Sequence, residues 1–488
     1  MIYILNKEYR LRGYKRIPTG LLDLRRMDTR FYGKELYRIL LNCDGIHDFK
    51  PEELTDEQKS FLQQLIDEKY VHEAVFGEML SPEQIYKLYP TEYRQSCQWS
   101  ITGECNFNCR HCFMSAPEGK HGSPSWEQLL NIADQLAECG VHKVGITGGE
   151  PLIRGDFLKL LDLLFEREIG VSVIYTNGWL VDEKLLDALG ELGMRPAFQL
   201  SFDGVGQHDF LRGVKGAEEQ TIKALKLLQE RNYSVSVSMC LHKNNIGTVR
   251  ETVKLLAGLG VRSLKTSSGM ELGEWTSPDV KALYLSNDEI LKAICEYIPE
   301  YFEDEAPLSI MHCGHFVYNR GDAGWSLYDE VSCSEADEGI MPNCGVLRSS
   351  FFISASGRVA PCMTMDDSDF AENFPNLFEK PLKDILADPT FKNLTTITVK
   401  EVRDANPKCR KCGFVDRCIG GCRSSALMAS GDYKGIDHEM CEFFEKGWDK
   451  KIRAVADPAF QAYLKRHPEI KKSGKAVASE NDRMGEFC

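Results

Sequence analysis

Three cysteines fall within eight residues in the run CNFNCRHC, at Cys105, Cys109 and Cys112. Thiolates suit soft metals and iron–sulfur clusters. Three of them cannot saturate a cube of four irons, so one iron would keep an open coordination position. An open position separates a catalytic metal site from a structural one, an argument made for zinc that carries over here. The spacing differs from the ferredoxin run, in which cysteines recur every third residue. Taken alone, the three thiols also suit a zinc knuckle or unconnected buried positions. His111, between two of them, reads as a packing residue rather than a base.

A second constellation lies in the last third of the chain. Cys344 and Cys362 flank Gly357, then Cys409, Cys412, Cys418 and Cys422 follow, and finally Cys441. A zinc ribbon accounts for CxxC followed by two more cysteines but leaves Cys344, Cys362 and Cys441 without a task. The chain holds 18 cysteines in 488 residues. Its opening, MIYILNKEYRLRGYKR, sets a short apolar stretch before basic residues, the reverse of secretory order. A cytoplasmic protein is therefore expected, in which thiols stay reduced and ligate metal rather than pair. A hydrophobic fraction of 43% and a charged fraction of 27% give an ordinary core. No apolar run approaches the roughly 18 residues of a membrane span. A net charge of −14 repels a phosphate backbone, which argues against nucleic acid as the main partner.

Such ligands need a rigid support, and the pattern from Gln98 onward supplies one. Strands are predicted at 98–102, 143–147, 171–176, 197–202, 234–241 and 261–266. Helices are predicted between them at 125–139, 157–168, 182–192, 218–231 and 246–260. Gly140, Gly170, Gly193 and Gly260 stand where left-handed helix caps are wanted. Six βα units give an α/β fold, a partial (β/α)6 barrel whose chemistry belongs at the carboxyl ends of the strands. Those ends carry Gly148-Gly149-Glu150-Pro151, Tyr175-Thr176-Asn177-Gly178 and Ser201-Phe202-Asp203-Gly204, with Arg212 further on. Cys139 and Cys240 read as core.

Cx3CxxC after the first strand, GGEP after the second, and polar turns after the third and fourth resemble the radical S-adenosylmethionine superfamily. The resemblance implies a 4Fe–4S cluster on Cys105, Cys109 and Cys112, with S-adenosylmethionine on its open iron. It also implies cofactor contacts from Gly148, Gly149, Glu150, Asn177, Ser201 (to the ribose) and Arg212 (to the carboxylate). An external low-potential electron donor is then needed. The later cysteines resemble the SPASM domain, which implies two auxiliary 4Fe–4S clusters. One would use Cys409, Cys412, Cys418 and Cys441. The other would use Cys344, Cys362, Cys422 and one upstream residue, Cys333 or alternatively Cys313.

Residues 1–80 form a separate unit with short strands at 2–5 and 9–11 and helices at 34–41 and 56–69. It resembles the winged-helix peptide-recognition element of ribosomal-peptide maturases, which take a precursor's leader as an added strand. Nine Lys or Arg against three Asp or Glu in residues 1–34 suit an acidic leader. A linker with one short helix is expected at 81–96, the barrel at 97–280, a long helix and connector at 281–340, and the SPASM region at 341–450. A last helix is expected within 451–488, with a disordered tail from about Lys471. The expected activity is crosslinking of a ribosomally made precursor peptide through a thioether or carbon–carbon bond. Peptide epimerisation is a further reading. Sulfatase maturation is another, against which Met363 stands where that group has an aspartate. A non-catalytic iron–sulfur electron carrier is the alternative of another class.

Overall fold

The structure is a computed structural model. It describes residues 1–470 except 117–118, 120, 270–271, 322–323, 328–332, 367 and 369. The tail from Lys471 and Cys488 lie outside the described residues. Among the described residues, no helix is long and apolar enough to cross a membrane.

The barrel forms as the strand–helix alternation predicts. Its six strands are Ser96–Ser100, Lys143–Thr147, Gly170–Thr176, Ala197–Ser201, Val235–Leu241 and Ser263–Ser268, each parallel to the next. The intervening helices bury one apolar stripe each; on Trp126–Glu138 it is Leu129, Ile132, Ala133 and Leu136. Ser125 caps that helix through a capping box with Gln128. Alternate strand residues such as Phe198 and Leu200 pack outward on the helices. The set between them, Gln199 and Ser201, stays partly open on the barrel's inner side.

The sheet is wider than six strands. Ser309–His312 adds in parallel beyond the sixth strand, and Ser350–Ile353 adds in parallel beside the first. Both are four-residue segments without polar alternation, so their period carries no signal. The long helix runs Asn287–Glu303 with Ser286 as its cap, later than expected, because Pro278 opens a separate short turn of helix. The last helix, Trp448–Arg466, packs along it.

Residues 1–73 have their own core, built from Tyr3, Leu5, Tyr9, Leu11, Tyr37, Leu40, Phe61 and Leu65 among others. The helices Lys34–Leu41 and Asp56–Asp67 form as expected. Four strands were not expected: Gly20–Asp23, Asp28–Phe31, Asp44–Asp48 and Val71–Glu73. Together with Ile2–Leu5, Tyr9–Gly13 and the later Lys87–Leu88 they build one three-stranded and one four-stranded sheet. The expected linker is not a free segment and holds no helix. Lys87–Leu88 pairs in parallel with Arg12–Gly13, and the Gln84 amide donates to the Leu5 carbonyl at 2.9 Å.

This unit sits on the barrel where the strands begin. Tyr14 donates to the Gly140 carbonyl at 2.8 Å, and Arg10 and Arg12 reach Glu168 at 2.6 and 3.1 Å. Gly140, Gly193 and Gly260 take the left-handed conformation expected of helix caps, but Gly170 does not. Glu168 carries the positive φ there, +57°, and Gly170 opens the third strand. Glycine is required at 170 for space, since a Cβ would stand 2.1 Å from Met27 Cγ of the N-terminal unit.

Candidate active site and cluster-binding region

The Cys105–Cys112 loop leaves the first barrel strand and is pinned from three sides. The Gly149 amide donates to the Thr102 carbonyl at 2.8 Å, and the Glu150 amide to the Glu104 carbonyl at 2.9 Å. A Cβ at Gly149 would lie 2.2 Å from the Glu104 oxygen, so the second glycine of GGEP lets the two backbones meet. On the second side, the Arg110 amide donates to the Leu211 carbonyl at 2.9 Å. Gly213, at φ +67°, approaches Asn108 so closely that a Cβ would be 2.3 Å from its carbonyl oxygen. On the third side, the Glu274 amide donates to the Cys112 carbonyl at 2.9 Å.

Each thiol of the loop has an N–H aimed at it: Phe107 at Cys105 Sγ (3.4 Å), Ala116 at Cys112 Sγ (3.3 Å) and Arg212 Nη1 at Cys109 Sγ (3.8 Å). Burial pushes Cys105 up to about 12, with Cys109, Glu150 and Cys112 adding to it, and burial raises Cys109 and Cys112 as well. Three thiols that resist ionisation alone yet receive donors at sulfur are suited to bonding a shared cation, which stabilises thiolate outright. The donor set therefore fits an iron–sulfur cluster. His111 is driven down to about 3 by burial and stands edge-on to Trp275 at 6.1 Å, a packing residue.

Glu150 is held within the chain. Its side chain is fully buried and accepts from Leu152 N–H (3.1 Å), Thr176 Oγ1 (2.8 Å) and Asn177 N–H (2.7 Å). The carboxylate ties the second strand's end to the third. Asn177 extends the tie, because its Nδ2 donates to Asn106 Oδ1 of the thiol loop at 2.8 Å. Desolvation raises Glu150 from 4.5 to about 7 despite those three donors. A carboxyl raised on folding stabilises the fold fully below its unfolded value and loses that contribution as pH climbs through the folded value. A Glu150→Gln variant is thus expected to flatten the fall in stability between pH 4.5 and about 7 by about 3 kcal/mol. Paired denaturant titrations across that range check it.

Ser201 ends the fourth strand, half-buried on the barrel's inner side. Beside it lies a residue the motif reading passed over. Asp203 is fully buried and accepts from Arg212 Nε at 2.7 Å and from the Cys240 amide at 2.9 Å. Its own amide donates to His208 Nδ1 (2.9 Å), and its carbonyl accepts from Asn245 Nδ2 (2.9 Å). Asp203-Gly204 reads as a turn dipeptide in sequence, and only the strand geometry shows it as a hub. Cys240, expected in the core, alternates with the outward-packed Met239 and Leu241 and lies near Asp203, Arg212 and Cys313. It faces the barrel interior.

In the C-terminal region, Cys409, Cys412, Cys418 and Cys441 line one cavity together with Phe414, Asp437, Met440 and Phe444. Cys362 is pushed up to about 11 by burial, with Cys422 and Cys344 contributing, which brings the second set of three together. Asp437 joins the sets. It accepts from the Cys422 amide at 2.7 Å and caps the helix His438–Glu445 that carries Cys441. Arg423, next to Cys422, is buried and donates to the Gly420, Gly421, Tyr433 and Gly435 carbonyls, holding both loops. No spacing rule would have singled it out. Cys333, expected as a ligand, is buried beside Arg403, Asp337 and Glu338. Cys313 lies 3.5 Å from Thr266 Oγ1 at the sixth strand, within the barrel.

The family model described as the radical SAM superfamily matches residues 99–256, and the SPASM model, an iron–sulfur cluster-binding domain, matches residues 344–413. The second match covers Cys344, Cys362, Cys409 and Cys412 and stops before Cys418. The chain is 24% identical over 411 residues to the antilisterial bacteriocin subtilosin biosynthesis protein AlbA of Bacillus subtilis (strain 168), covering 82% of each. It is 25% identical over 361 residues to an AdoMet-dependent heme synthase of Methanosarcina barkeri, covering 69% of this chain and 93% of that one. Among solved structures, Streptococcus suis SuiB bound to precursor peptide SuiA superposes with a TM-score of 0.59 at 17% identity, over 90% of this chain and 100% of SuiB. That likeness shows the fold. The thiol loop, the strand-end motifs and both family matches converge: this chain carries a radical SAM domain followed by a C-terminal SPASM iron–sulfur cluster-binding domain.

Proposed function

We propose that the protein is a peptide maturase that crosslinks a ribosomally made precursor, with Cys105, Cys109 and Cys112 as ligands of the catalytic cluster. Cys409, Cys412, Cys418 and Cys441 serve one auxiliary cluster, and Cys344, Cys362 and Cys422 the other, with an upstream cysteine, Cys333 or alternatively Cys313, as its fourth ligand. When bound, the catalytic cluster and S-adenosylmethionine supply a 5′-deoxyadenosyl radical that takes a hydrogen atom from the substrate. The chain's own part is placement. Gly148 and Gly149 bring backbone to the cofactor, Asn177 and Ser201 offer polar contacts, and Glu150 fixes the turn bearing Asn177. Arg212 presents a buried positive charge.

The observation that carries a peptide substrate is the N-terminal unit, a separately cored body with sheet edges at Asp28–Phe31 and Asp44–Asp48. Its presence agrees with the full-length likeness to SuiB, which was solved with its precursor peptide, and with AlbA, a bacteriocin biosynthesis protein. Arg10 and Arg12 are largely buried against Glu168, so an acidic leader would meet the exposed Arg25, Arg26 and Arg30 of the hairpin Gly20–Phe31, in competition with their own partners Asp23 and Glu68. The sulfatase-maturation reading loses further ground. Asp366 is buried and paired with Arg358 at 3.2 Å, which occupies it, and Asp367 lies outside the described residues.

The heme synthase relative keeps a non-peptide substrate as the second reading. Mass spectrometry of a candidate precursor co-expressed with the enzyme separates these outcomes. Loss of hydrogen from the peptide is expected for a crosslink. An unchanged mass with an inverted α-carbon would replace crosslinking by epimerisation. An untouched peptide beside a processed tetrapyrrole would overturn the peptide reading.

A further inference from the structure

The mechanism so far uses Arg212 as a positive charge and leaves Asp203 without a task. Yet Asp203 is a fully buried carboxylate fixed from several sides beside the site. Its side chain is 0% exposed, and that of Arg212 is 12% exposed. The Arg212 Nε bond to Asp203 Oδ2 fixes one edge of the guanidinium, which leaves Nη1 pointing at Cys109 Sγ. The short helix His208–Arg212 that carries this arginine cannot drift away. Its backbone is bonded to Arg110 at Leu211, and Gly213 abuts Asn108. Asp203 itself is held by four partners from three segments: Arg212, His208, Cys240 and Asn245.

A charge so placed acts on whatever the sulfur binds. Reduction of an iron–sulfur cluster adds a negative charge, and net charge nearby and hydrogen bonds to sulfur set its potential. In a buried setting the interaction is weakly screened. We propose that Asp203 is a positioning residue that aims Arg212 at Cys109, and that this buried ion pair sets the reduction potential of the cluster held by Cys105, Cys109 and Cys112. The proposal rests on those three thiols being the cluster's ligands.

The pair predicts shifts of opposite sign. Arg212→Gln leaves the Asp203 carboxylate uncompensated and should move the midpoint to more negative potential. Asp203→Asn leaves the guanidinium uncompensated and should move it to less negative potential. A role confined to folding gives no reason for opposite signs. The readout is a redox titration of the full, cluster-loaded chain, following the electron paramagnetic resonance signal that changes when S-adenosylmethionine is added. Shifts in the same direction, or no shift in either variant, would overturn the proposal. Should a single variant load no iron at that loop, the double variant Asp203→Asn/Arg212→Gln is expected to regain it, since no buried charge is then left alone. Its failure to do so, with auxiliary iron retained, would also overturn the pairing. Absence of any signal responsive to S-adenosylmethionine in the unaltered chain is a different result, and it would remove the ligand assignment and the proposal together.

Discussion

A variant carrying Cys105→Ala, Cys109→Ala and Cys112→Ala is expected to release no 5′-deoxyadenosine above background when incubated anaerobically with S-adenosylmethionine and a strong reductant. The fold should survive. The loop's position comes from backbone bonds at Arg110, Gly149, Glu150 and Glu274, none of which uses a cysteine side chain. The later thiols sit in a region organised by Asp437 and Arg423 and should keep their iron. Iron analysis should therefore fall by one cluster's worth while the nucleoside product disappears. Continued product formation would mean that the reaction is initiated elsewhere in the chain. That outcome would also favour an electron carrier's role for this loop.

The second large effect concerns stability. Glu168→Ala removes the shared partner of Arg10 and Arg12, whose side chains are 12% and 4% exposed. Stranding a buried charge costs about 3–5 kcal/mol. Glu168 is itself 22% exposed, and Arg12 keeps the Leu11, Glu83 and Ile85 carbonyls. A loss of about 2–3 kcal/mol at this junction follows. Hydrogen exchange at Tyr9–Gly13 should accelerate accordingly, and Glu168→Gln, which keeps one acceptor, should recover part of the protection. Unchanged exchange in the alanine variant would show that the junction does not depend on the charge. Wholesale deletion of the N-terminal unit would be a poorer probe of its role, because it would also uncover Gly140 and Gly170 on the barrel.

What could be read in advance follows from how local each cause is. Lys143–Thr147 was placed to the residue, because an alternating apolar run between a glycine cap and a Gly-Gly turn is a short-range signal. The helix starts at Ser125 and Asp182 were visible for the same reason. The two groups of cysteines stand out through their spacing, while the ligand they would hold does not follow from spacing alone. Asp203, Arg423 and Asp437 were not, since each acts across strands or loops that only the fold brings together. Gly170 and Cys240 were misread for one shared reason. A residue's type suggested the commonest use, a helix cap or a core thiol, whereas its register decided otherwise. Lys87–Leu88 escaped notice because two residues carry no period at all.

The N-terminal body is clamped where the barrel strands start, while the Cys105–Cys112 loop lies at their far ends. The third strand, at seven residues, measures roughly 23 Å at about 3.3 Å per residue. A substrate anchored to the former would have to stretch past a comparable span before any of its atoms met the latter. At roughly 3.3–3.6 Å for each extended residue, some seven residues of tether would be consumed in transit. Reach would then select the modified position: side chains close to the anchoring segment would be spared whatever their chemistry, and the first one touched would be set by a ruler built from the barrel's own height.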